Sequence, residues 1–443
     1  MRSINFRFVG ISLLCVLLIC GAVHAVHVMQ FEGHLRFLQT MAQEADESGD
    51  ESGAIGLYRR YVTLSRTDAD AYERLAELLM DSEQFSQAQS PLNQALRLRK
   101  DAGATEKDLG EIRSKLVDVA LATRRFSDAQ QQLIPLLASD AENLDLLEKR
   151  AVAYAGQREW SEAAKELEYI IAQDPGRETA YSSLADIRAE RLDESDMAVR
   201  CLRELVSRNQ DSVLAWLIRG AFRYRYVNHP DDDVRLAEAQ FSSGTEAQRA
   251  TPLTHDQLLE LATSDVRRAV ELMESQPDAD HGGGATADER EAADERHNLQ
   301  VGCLQMAIAC EQQQRHSSDG ESIDEQRRTI EEHRQRAIQH AEELIAVCAN
   351  RFARREAAMT AALRRKVQTE AEEKSEELTD DELADRSKLA ERVVRQVRQE
   401  AFLPADRAYM TLAAILESEG DRTGAVTTLK EGLERIGDHE MML

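Results

Sequence analysis

Apolar residues recur along this chain with a spacing that predicts pairs of amphipathic helices. In residues 72–95, apolar side chains stand at offsets of 0, 3, 4 and 7 from Tyr72, and again at offsets of 16, 20 and 23. The first set forms one face of a helix, and the second set forms one face of another. The polar stretch 81–84 predicts a short turn between them. The small side chains of Ala76 and Ala88 allow the two backbones to approach closely.

The same template recurs at intervals of 34 residues up to residue 214, with one insertion of seven, and it reappears near the end from Tyr409. Each copy repeats the order of large and small apolar residues over a helix, a turn and a second helix. The matching residues are Leu38, Met41, Ala42, Ala54 and Tyr58; Leu116, Ala120, Ala129, Leu133 and Leu136; Leu147, Ala151, Tyr154, Ala163, Leu167 and Ile170; Tyr181, Leu184, Ala185, Ala198, Leu202 and Leu205; and Tyr409, Leu412, Ala413, Leu416, Gly420, Ala425 and Leu429. A fixed period of this length is typical of proteins built from stacked helix pairs.

This pattern resembles the tetratricopeptide repeat (TPR) family. In that family the first helix carries, in order, a large residue, Leu, a small residue and a large residue. The second helix carries Ala, then an aromatic residue or Leu, then Ala, and Pro follows it. The matches cover residues 38–214 and 409–442, which is 211 of the 443 residues. One departure is Arg150, where the family prefers Leu. The resemblance implies an all-α fold, a right-handed α-solenoid of TPR helix pairs.

Five segments follow from the pattern along the chain. We expect a membrane segment over 1–29, a TPR array of about five repeats over 30–214, and degenerate, interrupted helix pairs over 215–352. Within the third segment, 213–226 predicts a first helix, with Trp216 and Gly220 at its large and small positions, and 256–275 predicts its partner. Residues 353–404 predict a charged helical spur, with a short coiled coil as the alternative, and 405–443 predict a C-terminal repeat.

The N-terminus predicts export. Arg2 and Arg7 precede a stretch of sixteen uncharged residues, Phe8 to Val23. One interpretation is an uncleaved signal anchor, a transmembrane helix that leaves the N-terminus cytoplasmic and the repeats extracytoplasmic. The alternative is a secretory signal peptide cleaved after Ala25, which would leave a secreted or periplasmic protein.

Composition narrows the partners of the chain. With 55 basic and 81 acidic residues, the formal net charge of −26 excludes nucleic acid as a partner, because phosphate binding needs a basic face. The low count of 21 Gly and 7 Pro residues argues against turn-rich β folds.

The cysteines Cys201, Cys303, Cys310 and Cys348 lie at apolar helix positions and are interpreted as buried thiols. A bridge from Cys348 to Cys303 or Cys310 remains open.

Motifs that carry chemistry are missing from the sequence. We find no glycine-rich phosphate loop, no GxSxG nucleophile and no CxxC pair. The acidic run Asp231–Asp233 is interpreted as a solvated helix cap, and His333 and His340 lack companions that would complete a metal site. We therefore expect no catalytic activity, no cofactor and no metal.

The resemblance also implies where a partner binds. In the family a concave groove is lined by first-helix positions one residue after the leading large residue and one after the small residue, here called positions 2 and 6. Five of the eight such residues in the first array are acidic, and these are the candidate protein-binding residues. The eight are Glu73 and Glu77, Ser114 and Asp118, Glu148 and Val152, and Ser182 and Asp186.

An acidic groove would favour basic or neutral peptides, although the general acidity of the chain offers solubility as another explanation. The Lys, Asn and Arg set with which some family members hold a terminal carboxylate is absent from these positions. We expect a membrane-anchored, non-catalytic scaffold that binds proteins through this face, resembling bacterial envelope repeat proteins. The alternative is a structural or assembly subunit of a larger envelope or secretion complex. The apolar second helix with Leu429, Leu433 and Ile436 also predicts self-association through an uncapped C-terminal repeat.

Overall fold

The computed structural model describes residues 29–230, 232–243, 251–275, 287–314, 328, 331–353, 403–418 and 421–436. Within these ranges the chain forms 17 helices, one short 3-10 turn and no strand, which confirms the predicted all-α class. The helices are α1 (29–47), α2 (Glu51–Leu64), α3 (Ala69–Asp81), α4 (Phe85–Asp101), α5 (Gly110–Ala122), α6 (Phe126–Ser139), α7 (Leu144–Gly156), α8 (Trp160–Gln173), α9 (Glu178–Arg191), α10 (Ser195–Arg208), α11 (Val213–Val227), α12 (Asp233–Ser243), α13 (His255–Ser275), α14 (Ala287–Gln314), α15 (331–353), α16 (Asp406–Ser418) and α17 (Arg422–Ile436).

Contacts divide the chain into two compact units, Met1–Asp174 and Pro175–Leu443. Each unit is described by itself below. The five-segment division predicted from the sequence stays a prediction. The handedness of the predicted solenoid likewise stays a prediction.

Unit 1 is a series of helix pairs. The pairs α3/α4, α5/α6 and α7/α8 pack internally, and α2/α3, α4/α5 and α6/α7 pack between pairs. The small residues of the repeat lie where the helices cross, and they are fully buried: Ala42, Ala54, Ala76, Ala88, Ala95, Ala129 and Ala163. Burial of the alternating apolar faces drives the stacking, because a single helix pair cannot cover its own hydrophobic surface.

The turn that joins the two helices of a pair recurs with the period of the sequence repeat. It has three residues, and its middle residue has a positive φ in five successive pairs. The amide of the third turn residue donates to a carbonyl of the first helix, as in Gln84 to Leu79 at 2.7 Å. The five middle residues are Gly49, Glu83, Arg124, Arg158 and Asp193. Their spacings of 34, 41, 34 and 35 residues reproduce the sequence period and its seven-residue insertion.

Side-chain caps fix the start of several helices. Asp50, Asp68 and Asn143 accept hydrogen bonds from the backbone amides of the first helical turn in α2, α3 and α7, and Ser212 does so in α11. These caps satisfy amides that have no partner within the helix. The polar residues between the apolar stretches therefore set the limits of the helices that carry the candidate site.

Unit 2 keeps the pair motif but interrupts it. Helices α9 and α10 form a regular pair, and α16 packs on α17. Helix α11 packs extensively on α13, the partner that the spacing predicts, with α12 inserted between them in sequence. Gly220 allows this contact, because a Cβ there would lie 2.9 Å from Val266 Cγ2 and 3.3 Å from the Ala262 carbonyl oxygen.

Cysteines in the described part of the chain are thiols. Cys201, Cys303, Cys310 and Cys348 are all buried and free, so the bridge left open by the sequence is not formed. Burial raises the pKa of the Cys303 and Cys310 thiols to about 12 and that of Cys348 to about 11. Their interpretation as small buried apolar residues is confirmed.

Some predictions fall outside the described residues. These are the predicted membrane segment over 1–29 except its last residue, most of the predicted spur over 353–404, and the acidic residue Asp231. Residues 437–443 also lie outside, and the predicted self-association stays a prediction. Among the helices that the structure describes, none is both long and apolar enough to cross a bilayer.

Candidate protein-binding face

The first helices of unit 1 present one continuous polar face. Positions 4 and 5 of each first helix point into the core, as Leu75 and Ala76 do in α3, so positions 2, 3 and 6 lie on the opposite side. We call the surface formed by these positions in α3, α5 and α7, together with the end of α1, the first-helix face. Ion pairs join each of these helices to the next along the face. The face is therefore a single surface across successive repeats.

Lys115 lies at the centre of this face. Its Nζ donates to Glu73 Oε1 at 3.0 Å, Glu77 Oε1 at 2.6 Å and Glu111 Oε1 at 2.9 Å, so each ammonium proton has a carboxylate acceptor. The Lys115 side chain is only 17 % exposed, and those of Glu73 and Glu77 are 12 % and 29 % exposed. The cluster joins α3 to α5 through partly buried charges, which are stronger than surface pairs.

Arg74 extends the cluster towards α1. Its guanidinium binds both oxygens of Asp46 at 2.6 and 2.7 Å and Glu77 Oε2 at 2.8 Å. Burial acts to raise the pKa of Glu77, but hydrogen bonds from Lys115 and Arg74 outweigh it and hold that pKa below its usual range. The hydrogen bond from Arg74 likewise lowers the pKa of Asp46. These carboxylates are therefore ionised and paired at neutral pH.

Further pairs complete the arrangement on either side. Lys149 Nζ lies 2.6 Å from Asp118 Oδ1 and joins α7 to α5. Arg99 of α4 lies 2.6 Å from Asp70 Oδ1 and 3.2 Å from Glu73 Oε2. The ion pairs thus run along the first helices and also tie them to a second helix.

The structure therefore places the five candidate acids in two groups. Glu73, Glu77 and Asp118 lie together on the first-helix face, each paired with a base, and Glu148 is half-buried on α7 of the same face. Asp186 belongs to unit 2, where Arg225 Nη1 lies 2.8 Å from its Oδ1. Burial raises the pKa of Asp186, although Arg225 opposes the shift.

Sequence reasoning missed the bases at position 3. Arg74, Lys115 and Lys149 occupy that position in three successive first helices, so a periodic signal was present. Positions 2 and 6 of α3, α5 and α7 alone carry a formal charge of −4, and the three bases reduce it to −1. Asp46 and Glu111, which pair with the same bases, bring the total to −3. The preference for basic or neutral peptides stays a prediction, and the negative charge on which it depends is about half of what the acids alone imply.

The same cluster is the only group of metal-ligand type found among the described residues. Oxygens of Glu73, Glu77 and Glu111 lie within 4.8 Å of one another. The ammonium of Lys115 occupies the space among them and supplies the positive charge that a cation would bring. The carboxylates therefore serve an ion pair in this arrangement.

Two features, one in each unit, offer contact to a partner beyond charge. Val152 at position 6 of α7 is 48 % exposed, which leaves an apolar side chain on an otherwise polar surface. In unit 2, a cavity of about 150 Å³ lies at the same first-helix positions, lined by Ser182, Asp186, Leu217 and Arg225 among others. Apolar contacts bordered by polar groups are typical of peptide-binding surfaces.

No protein-family model and no curated protein matches this chain. Among solved structures, it is similar to the C-terminal part of a TPR repeat-containing protein from Cytophaga hutchinsonii, at 10 % identity over 71 % of this chain and 95 % of that chain, with a TM-score of 0.37. It is also similar to MamA, at 19 % identity over 40 % of this chain and 92 % of that chain, with a TM-score of 0.34. For MamA from Desulfovibrio magneticus RS-1 the identity is 15 %, over 40 % of this chain and 97 % of that chain, with a TM-score of 0.34. Scores this low establish neither family nor function.

Proposed function

We propose that this protein is a non-catalytic scaffold that binds protein partners along the first-helix face of unit 1. The observation that carries the proposal is the continuity of that face, in which ion pairs join α1 to α3, α3 to α5 and α5 to α7. A surface repeated along successive helix pairs suits an extended peptide, because each repeat offers equivalent contacts. The TPR-like pairing of the helices supports the same function.

The partly buried ion pairs favour a preformed surface. Lys115 and Arg74 hold their carboxylates in fixed positions before any partner arrives, which lowers the entropic cost of binding. An exposed apolar residue, Val152, lies within the polar surroundings of this face and offers an anchor point. The expected partner is therefore a segment with at least one apolar side chain flanked by polar groups.

Site-specific photo-cross-linking tests the proposal. The full chain, expressed in cells, would carry p-benzoylphenylalanine at Val152 on the first-helix face, or at Ile134 on second helix α6 as the matched control. Both residues are exposed and apolar, at 48 % and 69 %. We expect discrete adducts from position 152 and none of the same mass from position 134. The same adducts from both positions, or adducts from 134 alone, would contradict binding at this face.

We further propose that residues 1–29 anchor the scaffold in a membrane, with the repeats extracytoplasmic. Support comes from the uncharged stretch Phe8 to Val23 that follows Arg2 and Arg7. Membrane fractionation with N-terminal sequencing distinguishes the two forms of export. A retained N-terminus in the membrane fraction supports the anchor. A mature chain that begins at Val26 in the soluble fraction would contradict the anchor and indicate a cleaved signal peptide.

A further inference from the structure

Unit 2 contains an arginine-lined cavity that the first-helix face does not include. It has a volume of about 950 Å³ and lies among α10, α11, α12 and α13. Five arginines and three acids line it, a formal charge of +2, or +1 when Glu238 behind Arg223 is counted, in a chain whose net charge is −26. The arginines are Arg200, Arg203, Arg219, Arg223 and Arg268. Such a local reversal of charge marks a surface suited to an anionic ligand.

The cavity exists because α11 departs from the repeat template. Arg219 and Arg223 occupy its positions 4 and 8, where α3 has Leu75 and Leu79. In a regular repeat these positions are buried against the next helix in sequence, but here α12 is inserted before α13. Arg219, Arg223 and Trp216 therefore line a cavity where a regular pair would form a closed apolar core.

Two buried carboxylates, Asp265 in the lining and Glu238 behind it, hold the arginines of the cavity floor. Arg223 contacts Glu238 at 2.7 and 3.0 Å and Asp265 at 2.7 Å, and these three side chains are at most 4 % exposed. Arg219 binds both oxygens of the same Asp265, at 2.9 and 2.7 Å. Fully paired charges at this depth are costly to break, so the floor is rigid.

The rim, in contrast, holds guanidinium groups with donors to spare. Arg200 and Arg203 lie over the Phe241 ring, at 5.7 and 5.6 Å from its centroid. Among the described residues Arg200 has no ion-pair partner, and Arg203 has only a long one, 3.7 Å from Glu238. Stacking on an aromatic ring holds a guanidinium in place while leaving its N–H edge available.

We propose that this cavity binds an acidic peptide segment of a protein partner. Carboxylates would pair with the N–H edges of Arg200 and Arg203, because the planar guanidinium matches a carboxylate with two parallel hydrogen bonds. Trp216, Leu261 and Val206 supply apolar wall for a neighbouring side chain of the peptide. Exposed Arg200, Ser264 and Arg268 form a mouth open to solvent, which suits a chain segment passing through more than an enclosed small cofactor.

Fluorescence anisotropy on the full chain in detergent tests the proposal. The probe is a labelled peptide of six glutamates and two leucines, and the comparison probe carries glutamines in place of the glutamates. The variant Arg200→Glu/Arg268→Glu changes two exposed rim residues and leaves the buried floor intact. The control Arg336→Glu/Arg422→Glu makes the same change of net charge on α15 and α17, away from the cavity lining.

We expect the acidic probe to bind the wild type and the control within twofold of each other, and the rim variant at least tenfold more weakly. The glutamine probe should bind the wild type at least tenfold more weakly than the glutamate probe. Equal binding by rim variant and wild type, equal binding of the two probes, or no binding of the acidic probe would overturn the proposal. Displacement of the probe by inorganic pyrophosphate at equimolar concentration would also overturn it, in favour of a small oxyanion.

Failure of the cavity proposal can be distinguished from failure of the scaffold proposal. Val152 cross-linking reports on unit 1, and the rim variant changes only residues of unit 2. Matching circular dichroism spectra and melting curves for the rim variant and the control establish that any loss of binding is not a loss of folding. A failed anisotropy experiment with persistent Val152 adducts would remove the cavity proposal alone.

Discussion

At the scale of single residues, charged side chains form ion pairs between helices. They do so at positions where the repeat pattern predicts either a solvent-exposed residue or an apolar core residue. Lys115 gathers three carboxylates on the first-helix face, and Arg223 lies between two buried ones in unit 2. Arg150, the departure from the template that the sequence already reveals, finds Glu166 of its partner helix at 2.8 Å. In each case a base in a helix interface is satisfied by an acid from a neighbouring helix, as burial of charge requires.

The Lys115 cluster makes a specific prediction for stability. Lys115→Met removes the ammonium and leaves Glu73 and Glu77 partly buried without it, so we expect α3 and α5 to lose about 2 kcal/mol of local stability. Hydrogen exchange of amides in α3 and α5 measures this as roughly thirtyfold faster exchange. The matched control is Lys149→Met, the same change at the same position of the next repeat.

The control differs in exposure and in the number of carboxylates, since Lys149 pairs with Asp118 alone. The pair of Lys149 with Asp118 is more exposed, at 30 % and 40 %, so its loss should cost below about 1 kcal/mol. Equal effects of the two substitutions would show that neither the burial of the Lys115 cluster nor its additional carboxylates contribute to stability.

The same cluster sets a pH dependence. Because the folded-state pKa of Glu77 lies below its ordinary value, the pairing stabilises the fold fully above about pH 4.5 and loses that effect as pH falls through the lowered pKa. The exchange difference between wild type and Lys115→Met should therefore be largest at neutral pH and shrink below about pH 4. A difference that stays constant from neutral to acid pH would be inconsistent with this linkage.

At the scale of helices, the fold depends on small residues at the crossings and on one turn used repeatedly. The three-residue turn with a left-handed middle residue returns the chain into the second helix, and non-glycine residues fill that position in four of five cases. A left-handed non-glycine residue costs about 1–2 kcal/mol, so packing of the paired helices must outweigh that strain. Where α11 meets α13, glycine stands at the alanine position of the template, and a Cβ there would lie 2.9 Å from Val266 Cγ2.

Two glycine substitutions separate helix propensity from packing. Gly220→Ala would bring a Cβ within 2.9 Å of Val266 Cγ2 and 3.2 Å of Asp265 Cβ, so we expect net destabilisation of α11 and α13 by about 1–2 kcal/mol. Gly56→Ala in α2 meets nothing within 4 Å and should stabilise its helix by about 0.5–1 kcal/mol. Hydrogen exchange rates of the backbone amides in α11 and α13, for Gly220→Ala, and in α2, for Gly56→Ala, measure the two effects. Stabilisation by both substitutions would mean that the α11–α13 contact relaxes freely.

At the scale of the whole molecule, the described cysteines belong to the core of unit 2. Cys303, Cys310 and Cys348 have no exposed surface and Cys201 has 5 %. Thiols are nucleophilic only as thiolates, and the raised pKa values of Cys303, Cys310 and Cys348 leave almost no thiolate at these three residues at pH 8. The fold itself therefore protects these residues from oxidation.

Thiol labelling checks this arrangement. At pH 8, iodoacetamide should leave Cys201, Cys303, Cys310 and Cys348 unmodified in the native protein and label all four after denaturation without reductant. Peptide mass spectrometry identifies each site. A residue that stays unlabelled in the denatured, unreduced chain would indicate a disulfide, which would contradict the free thiols of the structure.

Much of the fold was predictable from the sequence because helix periodicity and turn length are local properties. The offsets from Tyr72 identify which residues of α3 and α4 are buried, and the spacing of the turns follows the 34-residue period with its insertion. The pairing of 213–226 with 256–275 was predictable from the apolar template and from Gly220. Such features need only neighbouring residues and the requirement that apolar faces be covered.

Only the tertiary structure decided the charge of the candidate surfaces. A repeat pattern assigns each residue to a face of its helix but does not say which residue of another helix lies opposite. Asp46 and Arg74 are 28 positions apart, and Glu73 and Lys115 are 42 apart, so the sequence pattern does not show that these acids are paired with bases. In unit 2 the insertion of α12 turns core positions of α11 into the lining of a basic cavity. The sequence by itself determined the helices and their period, whereas the packing of helices distant in sequence decided which charges face a partner, because electrostatic fields depend on distances in space.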